Sequence, residues 1–334
     1  ADSPYRVQAA VEFAMRTYLT EGHAFAPLEE LSLRVGALLE LGSAIISDVL
    51  EDMVFEGRLQ LAEVEGKRVV YVYGYYKAEC TIAGKLAAMA NPPKGLVQVC
   101  ANAEAMLRKA EGETGIALSA QQKEAVRVAL RSGVSIITGG PGTGKTTVIR
   151  TLLSMLEGGG LKTAVAAPTG RAAKRIMETS GHYACTIHRL LEYYYDEMAS
   201  GMAFGRNALQ PLECQAVIID EASMMDLMLA EALCDALQPG TRLILVGDAD
   251  QLPSVGAGNV LRDLLDSEYF DTIRLTEIYR QAADSGIVQS AHRINRGEYP
   301  QFSDDFQLVR GDKQQEILLK IAALAGRCPR EDVQ

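Results

Sequence analysis

The sequence predicts an α/β fold in which a parallel sheet is wrapped by helices and preceded by a small α+β domain. Three observations carry the prediction. Short apolar runs, at residues 134–138, 163–167, 216–219, 242–246 and 272–275, alternate with stretches of helical period, as expected of strands buried on both faces. The first run ends in the glycine-rich stretch Gly139 to Thr147 and opens a periodic one, Val148 to Leu156. Residues 4–76 show three helical segments followed by two short strands.

The bulk properties set outer bounds. A chain of 334 residues, 48% hydrophobic and 23% charged, is an ordinary globular chain of about two domains. No apolar run approaches membrane-spanning length, so no membrane partner is expected. The six cysteines (Cys80, Cys100, Cys185, Cys214, Cys234, Cys328) form no C-x-x-C pair, which points away from a zinc site or a disulfide framework and toward a reducing, cytoplasmic setting. A net charge of −10 does not exclude nucleic acid, because a DNA channel needs only local positive potential. The opening Ala1-Asp2-Ser3-Pro4 has neither an initiator Met nor a basic-then-apolar targeting pattern and reads as the start of a piece of a longer protein.

In chain order, helical segments at Val11–Leu19, Leu28–Leu41 and Ile45–Phe55 precede strands Leu59–Val64 and Val69–Tyr73, which turn at Gly66. Residues 1–77 are therefore expected to form a winged-helix-like domain. Its third helix carries Asp48, Glu51 and Asp52, with no basic side chain before Arg58. Such a helix repels phosphates, which favours a structural or protein-contact role over DNA reading. A helix Ala78–Ala90, a breaker at Asn91-Pro92-Pro93 and a helix near Ala101–Lys109 make residues 78–115 a helical linker. Residues 116–270 follow as the first sheet-bearing domain, with 271–334 as a further segment. Between residues 192 and 207, a Ser-Gly turn flanked by aromatic runs predicts a projecting β-hairpin.

The glycine-rich run is a P-loop in its proper setting. Its glycines let successive N–H groups and a helix N-terminus face phosphate oxygens. Gly140, Pro141, Gly142, Thr143, Gly144, Lys145, Thr146 and Thr147 are thus the candidate nucleotide cradle, with Lys145 reaching the outer phosphates and Thr146 ligating magnesium. ATP and Mg²⁺ are the expected cofactors. After the run at 216–219, Asp220 can hold the magnesium hydration shell while Glu221 polarises an attacking water. Thr169, Arg171, Lys174 and Arg175 follow another strand end and offer hydroxyl and cationic partners for phosphates. His188 lacks metal-ligand spacing, which leaves a structural or a DNA-path role.

The run Leu245-Val246-Gly247-Asp248-Ala249-Asp250-Gln251-Leu252-Pro253-Ser254-Val255-Gly256 resembles helicase motif III of superfamily 1. With the other motifs, it makes the chain similar to the RecD-like helicases, the exodeoxyribonuclease V α-subunit family and its stand-alone relatives. The resemblance runs from about Gly22 to the end and is densest between Leu118 and Pro300. Residues 118–126 resemble the Q motif, which implies that Gln122 contacts adenine. Residues 167–174 resemble motif Ia and 186–191 motif Ib, implying that Pro168, Thr169, Gly170, Arg171, Lys174, Thr186, His188 and Arg189 line a single-strand path, joined by Val255 of motif III. Gln251 matches the γ-phosphate sensor, and residues 275–281 resemble motif IV, implying Tyr279 against the adenine and Arg280 on the γ-phosphate.

The resemblance implies a P-loop RecA-like sheet over 116–270 and the start of a second, incomplete RecA-like domain over 271–334, because motifs V and VI are not found. It implies an ATP-dependent DNA helicase or translocase, 5′ to 3′ on single-stranded DNA, serving recombination and repair. The catalytic set would be Lys145, Asp220, Glu221, Gln251 and Arg280. Partners would be single-stranded DNA, single-strand/duplex junctions and other subunits of a recombination nuclease. The hairpin would act as the pin that splits duplex, or else as a surface hairpin packed on its own domain. The piece alone is expected to be weakly active or inactive. An ATP-gated, DNA-end-binding scaffold subunit without motor activity is the alternative.

Overall fold

The computed structural model describes residues 3–90, 103–115, 117–197, 200–277, 285–311 and 313–326. The chain divides into two compact units, residues 1–277 and 278–334.

The first unit opens with α1 (Pro4–Thr20), β1 (Phe25–Pro27), α2 (Leu28–Leu39), α3 (Ser43–Phe55), β2 (Leu59–Val64) and β3 (Lys67–Val72). The strands form an antiparallel sheet in the order β1-β3-β2. β1 was not anticipated, since three residues are too few to show alternation. Val7, Val11, Leu31, Val35, Ile46 and Met53 pack between the helices and one face of this sheet, through Ala26 and Val70. Asp48, Glu51 and Asp52 are exposed on α3, as its sequence requires.

Tyr71 and Val69, on the other face of β3, join the core of the larger sheet. α4 (Tyr73–Ala90) follows β3 without a break. Its Ala78, Ile82, Leu86 and Met89, spaced to lie on one helix face, are buried in that same core. The expected linker boundary at residue 78 is therefore corrected: α4 starts five residues earlier and is a structural wall, because its apolar face packs against α10 (Leu227–Ala236).

The large sheet is built from β4 (Val134–Gly139), β5 (Thr163–Ala167), β6 (Cys185–Thr186), β9 (Ala216–Ile219), β10 (Arg242–Gly247) and β11 (Asp271–Leu275). All pairings are parallel, in the order β11-β4-β10-β9-β5-β6. One face, with Ile137, Val165, Ile218 and Ile244, is covered by α5 (Ala103–Thr114), α6 (Ala120–Arg131), α7 (Lys145–Gly158) and α8 (Gly170–Ser180). The other, with Ile136, Val217, Ile219 and Leu245, is covered by α4, α9 (Ile187–Leu190), α10 and α11 (Val260–Asp266). Because β11 pairs with β4, the boundary expected at residue 270 moves to Glu277. β7 (Tyr193–Asp196) and β8 (Gly201–Phe204) form the antiparallel hairpin anticipated near 192–207.

In the second unit, Asp305 accepts a hydrogen bond from Gly286 N at the start of the helix Gly286–Asn295, and bonds from Ser303 Oγ and then Ser285 Oγ hold its carboxyl well below the usual range.

If α4 belongs to the core, Leu86→Ala, at a position 1% exposed, should destabilise the first unit by about 2–5 kcal/mol. Calorimetry should show residues 1–277 melting in one transition displaced as a whole; a separate early transition for the α4 segment would contradict this packing.

Candidate active site

Every strand of the large sheet ends at one edge, and the loops leaving it carry the candidate residues. β4 runs into the P-loop at Gly139, where a Cβ would lie 2.7 Å from both Leu275 O and Thr143 Oγ1. Only glycine fits there. Gly142 (φ 77°) and Gly144 (φ 83°) occupy left-handed backbone, so the chain turns tightly into α7. α7 starts without a side-chain cap, leaving its first-turn N–H groups directed at the loop. Lys145 Nζ donates to Gly139 O (2.6 Å) and Gly140 O (3.1 Å) across the loop. Burial lowers its pKa, opposed by the charges of Asp248, Glu221 and Asp220.

Gln122, expected against adenine, lies beside the P-loop. It is 1% exposed; its Oε1 accepts from Ser119 N in a capping box, and its Nε2 donates to Thr143 O (3.4 Å). The side chain braces the start of α6 against the P-loop from within. Gln121, its half-buried neighbour, ties α6 to Thr276.

The acidic pair follows β9, which is buried throughout. Asp220 N donates to Ala166 O (3.0 Å), and Asp220 Oδ1 accepts from Glu221 N (2.9 Å). Glu221 holds φ 52°, a conformation uncommon for a residue with a Cβ. Burial, and then the charge of Glu221, raise the Asp220 carboxyl to about 6, while Lys145 and Arg175 pull it down. Glu221 Oε2 and Ser223 Oγ are buried with no hydrogen-bond partner among the described residues. An orphaned hard oxygen next to a second carboxylate fits a magnesium–nucleotide complex, in which Asp220 and, from the first turn of α7, Thr146 would hold the ion.

The loop after β10 is fastened to β4. Thr138 Oγ1 accepts from Ala249 N (3.2 Å), and Asp248, 3% exposed, accepts from Asp250 N (3.1 Å). At Gly256 a Cβ would come within 2.3 Å of Asp226 Oδ2, and at Gly258 within 2.9 Å of Leu227 Cβ. Gly258 N also donates to Gly22 O (3.0 Å), joining the loop to the N-terminal elements. Gln251 is exposed at this edge.

The candidate DNA-path residues share the same edge. Thr169 Oγ1 accepts from Ala172 N and Thr186 Oγ1 from Arg189 N as helix caps, which leaves each hydroxyl proton available to a phosphate. Gly170, Arg171, Lys174, His188 and Arg189 are exposed, Pro168 is half-buried, and Val255 is 94% exposed. Lys174 pairs loosely with Glu178 (3.7 Å). His188 packs on Tyr193 (ring centroids 5.1 Å) and Phe204 (6.0 Å), so it supports the root of the hairpin. Tyr193 is committed to that cluster, while Tyr194 and Tyr195 are exposed.

Tyr279 and Arg280 lie outside the described residues. Sequence reasoning gave no role to Thr138, to Asp248 or to the field of Arg175 on the acidic pair. Asp248 had a signal, since it closes the same apolar strand pattern as Asp220.

The model of the AAA domain family matches residues 117–312. The chain is 34% identical over 315 residues to the ATP-dependent RecD2 DNA helicase of Deinococcus radiodurans, covering 91% of this chain and 42% of that protein. It is 41% identical over 169 residues to the RecBCD enzyme subunit RecD of Mycobacterium tuberculosis, covering 44% of this chain and 28% of that one. The solved structure of the Pif1 helicase from Candida albicans is similar at 24% identity and a TM-score of 0.43, over 64% of this chain and 56% of that one. The chain thus spans less than half the length of these two curated relatives. With more than half of its residues matched by the family model, it belongs to the AAA domain family, on the RecD-like branch.

Proposed function

We propose that this chain carries the ATP-hydrolysing site of a RecD-like DNA helicase. One observation carries the reading: the P-loop lysine, Asp220 and Asp248 stand electrostatically coupled at the strand ends, beside a Glu221 whose buried Oε2 has no hydrogen-bond partner among the described residues. A site that only clamped a nucleotide would not need that buried, strained carboxylate.

In the proposed reaction, the P-loop N–H groups and Lys145 hold the phosphates, with Lys145 exchanging its bonds to Gly139 and Gly140 for phosphate oxygens. Magnesium, when bound, neutralises phosphate charge. Glu221 takes a proton from the water that attacks the γ-phosphorus, the bond to the β,γ-bridging oxygen breaks, and ADP and phosphate leave. Gln251, whose N–H donates to Asp248 O (3.2 Å), would sense the γ-phosphate. Single-stranded DNA would pass Thr169, Arg171, Lys174, Thr186, Arg189 and Val255, with 5′ to 3′ travel and recombination or repair as the setting that the family resemblance favours. The exposed Tyr194 and Tyr195 favour the hairpin as a stacking surface at a duplex junction. Among the described residues no helix is long and apolar enough to cross a membrane.

Replacing Glu221 by Gln should lower kcat for DNA-stimulated ATP hydrolysis by about 10²- to 10⁴-fold and leave nucleotide affinity near wild type. Turnover within tenfold of wild type would sink the assignment.

The raised Asp220 pKa has a definite sign. Its native value near 6 lies above the usual 3.8, so its contribution to stability is present below about pH 4 and is lost as pH rises through about 6. In metal-free buffer, Asp220→Asn should stabilise the protein by about 1–3 kcal/mol at pH 7–8 and by nothing near pH 4, read from denaturant melts. A destabilised Asn variant at neutral pH would contradict the burial argument.

Tyr195→Ala should weaken binding to a forked DNA by about 1–3 kcal/mol without lowering the melting temperature. Unchanged affinity would return the hairpin to a packing role.

A further inference from the structure

Helices α4 and α11 flank a groove of about 550 Å³, within the ~300–1,000 Å³ range of ordinary binding pockets. Its floor is core: Ile82, Leu227, Val260 and Phe270 are buried. On the α4 wall, Ala83 and Ala87 are one turn apart, and their short side chains leave the volume open. Glu79 and Asp263 supply the charge, and no basic residue lines the groove among the described residues. Partial burial, and then the charges of Glu79 and Asp266, hold the Asp263 carboxyl above its usual range. Two like charges over an apolar floor attract a cation that brings apolar neighbours, and they repel a phosphate backbone.

We propose that this groove docks a segment of a protein partner, an amphipathic helix that presents a lysine or arginine to Glu79 and Asp263 and leucine-sized side chains to the floor. Charge complementarity selects this occupant over nucleic acid, and the alanine wall admits a close helix–helix approach. The groove also adjoins the loop that carries Gln251. Leu227 meets Gly258 in the loop that carries Gln251, and Val260 begins the helix that follows it. An occupant would therefore alter ATP turnover; that half of the inference rests on the ATPase reading, and the docking half does not.

The test is fluorescence anisotropy of a labelled leucine–lysine amphipathic helical peptide, about four turns long, titrated with the full chain and with Asp263→Asn and Ala83→Trp. Both substitutions sit at exposed positions, and circular dichroism confirms that the variants fold. Saturable binding is expected, weakened about tenfold by Asp263→Asn, abolished by Ala83→Trp, and absent for the peptide with glutamates in place of lysines. Equal affinity of all three proteins, equal binding of the glutamate peptide, or no saturable binding would overturn the docking site. Groove-dependent binding with no Mg·ATP binding by any of the proteins would refute the ATPase reading and leave the docking site standing.

Discussion

A sheet made only of parallel strands has to be covered on both faces, since the crossover helices that connect its strands lie against it. In this chain Ile136 and Ile137, adjacent on β4, enter opposite cores, as do Val217 and Ile218 on β9. That two-sided burial sets the direction of everything else. All six strands point the same way, so the P-loop, Asp220, the loop after β10 and the capped helices α8 and α9 emerge at one edge. The second core also needs α4 and the outer face of β3 to close it, which draws the N-terminal elements into the same unit.

At that edge the packing creates an electrostatic tension. Asp220 is carried into a place where its charge is unfavourable, and Glu221 follows in left-handed backbone with one oxygen unpartnered among the described residues. Lys145 is likewise desolvated, and the acids around it offset part of that effect. The arrangement suits a ligand that brings both anionic phosphates and a divalent cation, because each relieves one sign of the imbalance.

Much of this was legible in the residues. The P-loop, the acidic pair and the hairpin each have a local signature: glycines at fixed spacing, carboxylates after an apolar run, aromatic strands about a turn. What escaped is tertiary in origin. β1 is too short to show alternation, and α4, rich in alanine and glycine, shows only a weak apolar stripe although it forms a wall of the core. Gln122 stands three residues after Ser119, the spacing of a capping box, but its bond to Thr143 O is tertiary and has no local signature. The bond from Ala249 N to Thr138 Oγ1 joins residues far apart in the chain, and no local pattern encodes it.

Amide chemical shifts measured during titration with Mg·ATP test most directly whether three separate loops form one nucleotide site. Shifts are expected at Gly139–Thr147, Asp220–Ser223 and Gly247–Gln251, all titrating with one dissociation constant. Shifts confined to the P-loop, or scattered with different constants, would contradict a single site.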